Sequence, residues 1–387
     1  MYNTAYLNQQ FVQHFQVAPT CIASSPGRIN LIGEHTDYNE GFVFPAAIDR
    51  YIYVALSARE DNEIHIFSAA YNTYFKTTLL PETSETAPEW AKYILGVVQL
   101  INGKKSIKSG INLFLDGDIP LGAGLSSSAA LTCATGFGIN ALFQLGLSRL
   151  EIAQIGQQTE HRYIGVNCGI MDQFASVMGK ENQAFVLDCK DLSYRYFELQ
   201  WPEYEILLLN SNVKHNLASS AYNKRREACE QGVAWVKEKY PEVNTLRDIN
   251  LQQLDDIVRP LSEDIFIKCR FVIQENLRVQ QASDAIQRKD ITQFGRLLYE
   301  AHWALSKDYE VSCAELDFLV HFVQGLPEVA GARMMGGGFG GCTINIIKKG
   351  SSTALIDKIT TAYFDRFGKS PSPIQVKLSN GTSLLEY

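Results

Sequence analysis

Five of the six residues from 336 to 341 are glycines, in the segment MMGGGFGGCTINI. Glycine adopts backbone conformations closed to other residues, so this segment must reverse sharply or lie directly against another group. It contains G-x-G-x-x-G, but in dinucleotide-binding folds that pattern follows a strand and opens a helix. Here it follows a helical pattern and leads into the strand-like CTINII, which argues against such a fold. A close-packed turn is the simplest interpretation, and support for a substrate or for another loop is the more specific one.

A second glycine-rich loop, PLGAGLSSSAAL, lies at residues 120–131. Gly122 and Gly124 precede three serines that open a long apolar stretch, which predicts a buried helix beginning near Ser127. Free backbone N–H groups at a helix N-terminus bind phosphate, and glycines let phosphate oxygens approach the backbone. A serine-capped buried helix is the alternative. The loop lacks G-K-[ST], so it is not a Walker A loop.

Composition limits the classes of ligand. The chain has 387 residues, is 46% hydrophobic and carries a formal net charge of −7, so it predicts a large core without a basic surface for nucleic acid or anionic membrane. The N-terminus lacks a basic segment followed by an apolar one, and no stretch of eighteen apolar residues occurs. Eight cysteines are scattered along the chain without a C-x-x-C motif, which indicates reduced thiols. We therefore expect a cytoplasmic protein with a small-molecule ligand.

Local patterns predict a mixture of strands and helices. Short β-branched and aromatic runs predict strands at 51–58 and 111–119, at three places between about 185 and 215, and at CTINIIKK. Helical spacing predicts helices at 89–102, 219–240, 263–287 and 290–305. The S-x-x-E capping box of Ser148 and Glu151 predicts a further helix from 149 through Glu160.

The order of these elements predicts the architecture. The strands and helices do not alternate strictly, which favours two α+β domains, and a change of pattern near residue 200 divides the chain into 1–200 and 201–387. At the C-terminus, IQVKLSNGTSLLEY predicts a hairpin around Asn380 and Gly381.

A third motif, PGRINLIGEHTDYNEG at residues 26–41, places charged side chains among apolar ones. A solvated charged face is the ordinary interpretation of such a run. Together with PLGAGLSSSAAL and MMGGGFGGC, however, it resembles the three signature regions of the GHMP small-molecule kinase superfamily. The resemblance extends from about residue 20 to the terminal SNG.

The resemblance implies a fold and an activity. The N-terminal domain would resemble the second domain of ribosomal protein S5, the C-terminal domain would be ferredoxin-like, and the active site would lie in the cleft between them. The first motif implies an enzyme that uses ATP to phosphorylate the C1 hydroxyl of galactose, giving galactose 1-phosphate and ADP at the entry to galactose metabolism.

Residue roles follow from the same resemblance. Asp172, in CGIMDQF, matches the family's catalytic aspartate, and Arg28 matches the arginine that orients it. A carboxylate there can accept the proton of the sugar hydroxyl. The matches to sugar contacts are Glu34, His35, Asp37, Gly169 and Tyr222.

The nucleotide is expected at the first glycine loop. The matching positions are Gly122, Ala123, Gly124, Leu125, Ser126, Ser127 and Ser128, with Trp90 near the adenine. Ala123 stands where the family often has glycine, an exchange tolerated if its backbone angles are ordinary. Mg²⁺ would be held by Glu160 and Ser128, with Ser127 as the alternative hydroxyl.

Two other functions stay open on the sequence. The same lining could serve a kinase for a related sugar, such as N-acetylgalactosamine or arabinose. A non-catalytic sensor of galactose and ATP is disfavoured, because the phosphate loop is uninterrupted and Asp172 is present. A monomer is expected.

Overall fold

The fold is that of a computed structural model in which residues 3–79, 87–120, 122–213 and 218–386 are described. Within these ranges the strands are β1 (Cys21–Asn30), β2 (Phe42–Val43), β3 (Pro45–Ala58), β4 (Glu63–Ser68), β5 (Thr73–Thr78), β6 (Ile111–Gly117), β7 (Gln183–Asp188), β8 (Tyr194–Glu198), β9 (Tyr204–Asn210), β10 (Val329–Met334), β11 (Cys342–Lys348), β12 (Ser372–Val376) and β13 (Ser383–Leu384).

The α-helices of the described residues are α1 (Thr4–Phe15), α2 (Glu89–Lys104), α3 (Ser127–Phe143), α4 (Arg149–Thr159), α5 (Met171–Met178), α6 (Ala218–Lys239), α7 (Leu251–Ile257), α8 (Glu263–Gln287), α9 (Ile291–Lys307), α10 (Ala314–Val323) and α11 (Ser352–Phe367). Within those residues, no helix combines the length and the apolar character that crossing a bilayer requires.

The first sheet has the order β13-β1-β3-β6-β4-β5, with β4 and β6 parallel and the other pairs antiparallel. Side chains alternate between its two faces, as strand geometry requires. On β6, Leu113 and Leu115 pack in the cluster that also contains residues of α2, α3 and α4. Phe114 points the other way, into a cluster with Leu7 and Phe11 of α1. The sheet therefore has helices on both faces.

The second sheet has the order β10-β11-β9-β12 and is antiparallel throughout. Leu207 and Leu209 of β9 pack with residues of α10 and α11, and Leu208 faces the opposite cluster, which contains residues of α8 and α9. That opposite cluster also contains Ile29 of β1. One apolar core therefore joins the two halves of the chain beside β1.

The local predictions agree well with these elements. The capping box is present, with Ser148 accepting from the Glu151 backbone and Glu151 accepting from that of Ser148. The helix that it opens ends at Thr159, and one turn of π-helix (Glu160–Ile164) follows. The α+β composition is confirmed. The division at residue 200, which lies between β8 and β9, stays a prediction.

Two predictions of local structure are wrong. The C-terminal segment is not a hairpin, because β12 pairs with β9 and β13 pairs with β1 of the other sheet. Between them, the Gly381 N–H donates to the Gly179 carbonyl, so Asn380 and Gly381 carry the chain across to the first sheet. The 336–341 loop follows strand β10 and not a helix, although it does open a strand, β11.

Gly295 of α9 lies directly on β10. A Cβ added there would be 1.8 Å from the Ala330 carbonyl oxygen, so helix and strand would have to separate. We expect Gly295→Ala to lower the free energy of unfolding by about 1–3 kcal/mol, measured by urea denaturation. Gly103→Ala in α2 is the control, since a Cβ there meets nothing within 4 Å and alanine favours helix. Equal effects of the two changes would contradict this account of the packing.

Candidate active site

The centre of the site is an ion pair between β1 and the first turn of α5. Arg28 donates through Nε to Asp172 Oδ1 at 2.7 Å and through Nη2 to Asp172 Oδ2 at 2.9 Å. Such bidentate arginine–carboxylate pairs are strong and fix the orientation of the carboxylate. The Arg28 side chain is 5% exposed and that of Asp172 is 29% exposed, so the carboxylate is the part that a ligand can reach.

The first glycine loop closes on this ion pair. Arg28 Nη1 donates to the Gly124 carbonyl at 2.7 Å, and the Ser126 hydroxyl donates to Asp172 Oδ2. Ser126 has a φ of +58° and makes no side-chain bond to the N-terminus of α3, so the serine-capped alternative does not describe it. A Cβ on Gly27 would lie 2.7 Å from the Leu125 carbonyl oxygen, which shows how closely β1 approaches the loop.

A cavity of about 150 Å³ opens beside Asp172. Its lining consists of Arg28, Glu34, His35, Asp37, Glu160, Val166, Cys168, Gly169, Met171, Asp172, Tyr222, Gly336 and Gly337. The residues that the resemblance assigned to the sugar and to catalysis therefore meet in one cavity. Their individual roles stay predictions.

Glu34 is held by an arginine that the sequence analysis missed. Arg333, in β10, is fully buried and donates from Nη2 to Glu34 Oε1 at 2.5 Å, and the Gly336 N–H donates to the same oxygen at 2.8 Å. Glu34 is itself 2% exposed, so the pair is a buried one. A single arginine in the otherwise apolar VAGARMM was the available signal, because a buried strand tolerates a charge only with a partner.

Asp37 and Gly169 form one wall of the cavity. A Cβ on Gly169 would lie 2.1 Å from Asp37 Oδ2, so only glycine fits beside that carboxylate. Burial and the neighbouring Asp172 carboxylate raise the pKa of Asp37 to about 7. Near neutral pH, Asp37 can therefore either donate to a hydroxyl group or accept from one.

His35 lines the cavity, but both of its ring nitrogens are engaged by the protein. Nε2 lies 3.2 Å from the Gly337 carbonyl oxygen, and Nδ1 lies 2.8 Å from the Tyr38 hydroxyl. Burial lowers the pKa of His35 to about 3, so the ring is neutral at pH 7. In this arrangement neither ring nitrogen of His35 is free to bond to a ligand.

Glu160 lies at the start of the π-turn, where it is 7% exposed. Burial and the Asp172 carboxylate raise the pKa of Glu160 to about 7, against the opposing effect of hydrogen bonds from Ser128 and Gln173. Among the residues that the structure describes, no group of three or more His, Cys, Asp and Glu side chains could hold a metal. One buried carboxylate beside one hydroxyl fits an ion such as Mg²⁺, which takes its other ligands from phosphates and water.

A second cavity, of about 420 Å³, adjoins the first glycine loop. Ser127 and Ser128 line it together with Trp90, whose ring stacks on that of Tyr71 with centroids 6.0 Å apart. The predicted nucleotide residues Trp90, Ser127 and Ser128 are therefore close together, outside the cavity that contains Asp172. Leu121 of the loop motif lies outside the described residues.

The 336–341 loop supports the first glycine loop. A Cβ on Gly341 would lie 3.3 Å from the Ala123 carbonyl oxygen, and one on Gly336 would lie 3.5 Å from that of Gly124. The contact of the glycine cluster with the first glycine loop is thus present in the structure, and a role towards a substrate stays a prediction. Ala123 does not have a positive φ, so alanine in place of glycine causes no backbone strain at this position.

Comparison with known protein families gives three matches. Residues 9–58 match the galactokinase galactose-binding signature, residues 92–180 match the GHMP kinases N terminal domain, and residues 282–365 match the GHMP kinases C terminal region. The galactose-binding match contains the first motif, and the N-terminal match contains the first glycine loop.

Relatives match over nearly the whole chain. The chain is 38% identical to a galactokinase of Roseiflexus sp. over 98% of this chain and 97% of that one, and 39% identical to a galactokinase of Staphylococcus carnosus over 98% and 99%. The structure of Lactococcus lactis galactokinase complexed with galactose superposes with a TM-score of 0.93 and 33% identity, covering 98% of this chain and 99% of that one. The Methanococcus jannaschii mevalonate kinase shares the fold, with a TM-score of 0.66 and 17% identity. The expected two-domain GHMP kinase fold is confirmed, and the chain belongs to the galactokinase family of GHMP kinases.

Proposed function

We propose that this chain transfers the γ-phosphoryl group of ATP to the C1 hydroxyl of α-D-galactose, giving galactose 1-phosphate and ADP. The observation that carries the proposal is the partly exposed Asp172 carboxylate, held by Arg28 at the edge of a cavity lined by Glu34 and Asp37. Carboxylates accept hydrogen bonds from sugar hydroxyls, and a buried acceptor left unpaired penalises the wrong epimer.

Asp172 accepts the proton of the C1 hydroxyl in this mechanism. Arg28 and Ser126 hold both carboxylate oxygens, so the group does not rotate away from the sugar. The positive charge of Arg28 also favours the alkoxide that forms as the proton leaves. Phosphoryl transfer depends mainly on such alignment and charge stabilisation.

The first glycine loop and the N-terminus of α3 bind the phosphates through backbone N–H groups. Gly122 and Gly124, each with a φ of +72°, give the loop a path that other residues would strain. Glu160 and Ser128 would hold Mg²⁺, which neutralises phosphate charge when bound. Trp90 would pack near the adenine in the second cavity.

Glu160→Ala tests the metal role. We expect the KM for Mg·ATP to rise by at least about 10-fold, since losing even a residue that only supports a metal ligand has an effect of this size, with galactose affinity by calorimetry nearly unchanged. The reason is that Ser128, beside the first glycine loop, and Gln173 engage the Glu160 carboxylate, whereas Arg28, Glu34, Asp37 and Asp172, which line the same cavity, are unchanged. Glu151→Ala in α4, the helix that precedes the π-turn of Glu160, is the control and should alter stability only. Collapse of galactose affinity would remove Glu160 from the metal role.

A panel of free sugars with ATP tests the substrate. We expect ADP release to be fastest with galactose and slower with arabinose or N-acetylgalactosamine. Faster turnover of N-acetylgalactosamine would assign the chain to the related kinases, and sugar binding without ADP release would make it a sensor. We also propose a cytoplasmic monomer, and size-exclusion chromatography tests the monomeric state.

A further inference from the structure

The 31–41 loop joins β1 to β2 and carries three side chains of the cavity beside Asp172, those of Glu34, His35 and Asp37. None of these three lines the second cavity, which adjoins the first glycine loop. An element that fixes the position of the 31–41 loop would therefore act on the ligand of the cavity beside Asp172 and leave the nucleotide site unchanged.

The 31–41 loop is bonded to itself through Thr36, which is fully buried. The Thr36 hydroxyl lies 2.9 Å from the Gly33 carbonyl oxygen and 2.6 Å from that of Phe42. The Thr36 carbonyl oxygen accepts from the Gly41 N–H at 2.8 Å. These bonds join the start of the loop to its end, so the position of the whole loop depends on the groups that hold those two ends.

Two consecutive residues of α8 hold the ends of the loop. Asn276 Oδ1 accepts from the Phe42 N–H at 2.7 Å, and Glu275 Oε1 accepts from the Gly33 N–H at 2.9 Å. Asn276 is 8% exposed and Glu275 is fully buried, so water does not easily replace either acceptor. The second oxygen of Glu275 accepts from Arg278 Nε at 2.6 Å, which pairs the buried charge.

The backbone of the loop lies directly on α8. A Cβ on Gly41 would lie 2.4 Å from Asn276 Oδ1, and one on Gly33 would lie 2.8 Å from Val279 Cγ2, one turn further along the helix. Gly33 also has a φ of +100°, which disfavours other residues. Both ends of the loop therefore approach the helix at glycines.

We propose that Asn276 and Glu275 are positioning residues, which hold the two ends of the 31–41 loop on α8 and so strengthen galactose binding. The inference deepens the proposed function, since it rests on the cavity beside Asp172 being the galactose site. When Asn276 Oδ1 is removed, the Phe42 N–H loses its acceptor and the loop gains freedom. Galactose must then order the loop as it binds, and this ordering lowers its affinity.

Amide hydrogen exchange tests the anchoring without sugar or turnover. In the unaltered protein, the Phe42 N–H should exchange at least about 100-fold more slowly than in an unfolded chain, because it is buried and bonded. In Asn276→Ala we expect this exchange to become about tenfold faster, while the N–H groups of α3 keep their rates. Saturating galactose should restore most of the protection.

Calorimetry and steady-state turnover test the consequence for binding. In Asn276→Ala, the dissociation constant of galactose should rise about three- to tenfold, as for the loss of one hydrogen bond, with the KM for Mg·ATP within about twofold. Asn276→Asp retains an accepting oxygen whether the carboxyl is ionised or protonated. It should therefore restore most of the galactose affinity and of the Phe42 protection.

Asn140→Ala is the matched control. Asn140 Oδ1 accepts from the Leu147 N–H at 2.9 Å, so an asparagine near the C-terminus of α3 also holds a loop, but it lines neither cavity. The change should lower stability and leave galactose affinity within about twofold, because distant sites act independently. If Asn276→Ala does not fold, Asn276→Ser also removes the acceptor of Phe42, because its side chain is shorter, and should show the same changes.

Glu275→Ala tests the other end of the loop. The Gly33 N–H should exchange about tenfold faster, as expected for loss of its acceptor. The loss of stability should exceed that of Asn276→Ala, because Arg278 also loses its partner. If the variant does not fold, the double change Glu275→Ala and Arg278→Ala removes both charges and serves the same test. Unchanged exchange of Gly33 would contradict the role of Glu275.

Rapid exchange of the Phe42 N–H in the unaltered protein would overturn the proposal. A galactose affinity in Asn276→Ala equal to that in Asn140→Ala would overturn it too, as would an equal loss in Asn276→Asp and Asn276→Ala. A parallel rise in the KM for Mg·ATP would show that the effect is not confined to the 31–41 loop. Failure of the unaltered protein to phosphorylate galactose would overturn the proposed function instead, because the exchange result does not depend on turnover.

Discussion

Asp172→Asn is expected to lower kcat by about 10²- to 10⁴-fold, the usual range for loss of a general base. The variant should fold and bind galactose, because asparagine retains one oxygen to accept from Arg28 and the rest of the cavity is untouched. Steady-state turnover and calorimetric galactose affinity measure the two effects separately. If Asp172 were only a residue of the first helical turn, the change would cost about 1 kcal/mol of stability and turnover would be near normal.

Arg28→Ala should fall in the same kinetic class as Asp172→Asn. The double variant should lose much less than the product of the two single losses, since residues that act as one unit are not additive. Asp188→Asn is the control, because Asp188 is also paired with an arginine, Arg247, and its side chain is 18% exposed, but it does not line the cavity beside Asp172. If a folded Asp172→Asn protein kept most of its galactose-dependent turnover, Asp172 would not be the general base. Catalysis would then come from alignment of the sugar and the phosphate alone.

Arg333→Met is expected to lower the free energy of unfolding by about 3–5 kcal/mol, the range for removing one partner of a buried ion pair. The large effect follows from leaving the Glu34 carboxylate charged and buried with only the Gly336 N–H on its Oε1. Urea denaturation measures it. Adding Glu34→Gln to Arg333→Met should restore part of the stability without restoring galactose turnover, because the unpaired charge is gone but the sugar contact is not rebuilt.

Lys268→Met is the control for Arg333→Met. It distinguishes the effect of burying the cation from the effect of burying its partner carboxylate. The Lys268 side chain is 3% exposed, close to the 0% of Arg333, but its partner Glu310 is 59% exposed whereas Glu34 is 2% exposed. Water can therefore solvate Glu310 once Lys268 is gone, and the loss should be smaller than for Arg333. A loss for Arg333→Met no larger than that for Lys268→Met would show that Glu34 does not depend on the pair.

The sequence predicted the members of the site better than their mutual contacts. Short motifs carry Arg28, Glu34 and Asp172, and resemblance aligns each of them, so their convergence in one cavity could be anticipated. The capping box before α4 was equally predictable from the sequence, because its two partners lie within one stretch of four residues.

The contacts that the sequence did not predict join residues far apart in the chain. Arg333 pairs with Glu34 across 299 positions, and Tyr309 meets Tyr38 across 271, so no local pattern relates them. The C-terminal turn around Gly381 failed for the same reason. Its turn residues favour a hairpin, but the last strand, β13, pairs instead with the edge of β1 in the first sheet.

Phosphorus NMR of the product formed from galactose and Mg·ATP tests the central claim most directly, because Asp172 is assigned to one hydroxyl. The account predicts galactose 1-phosphate in amounts equal to the ADP released, and its disappearance in Asp172→Asn while galactose still binds. A phosphate ester at another hydroxyl, or inorganic phosphate in place of a sugar phosphate, would contradict it.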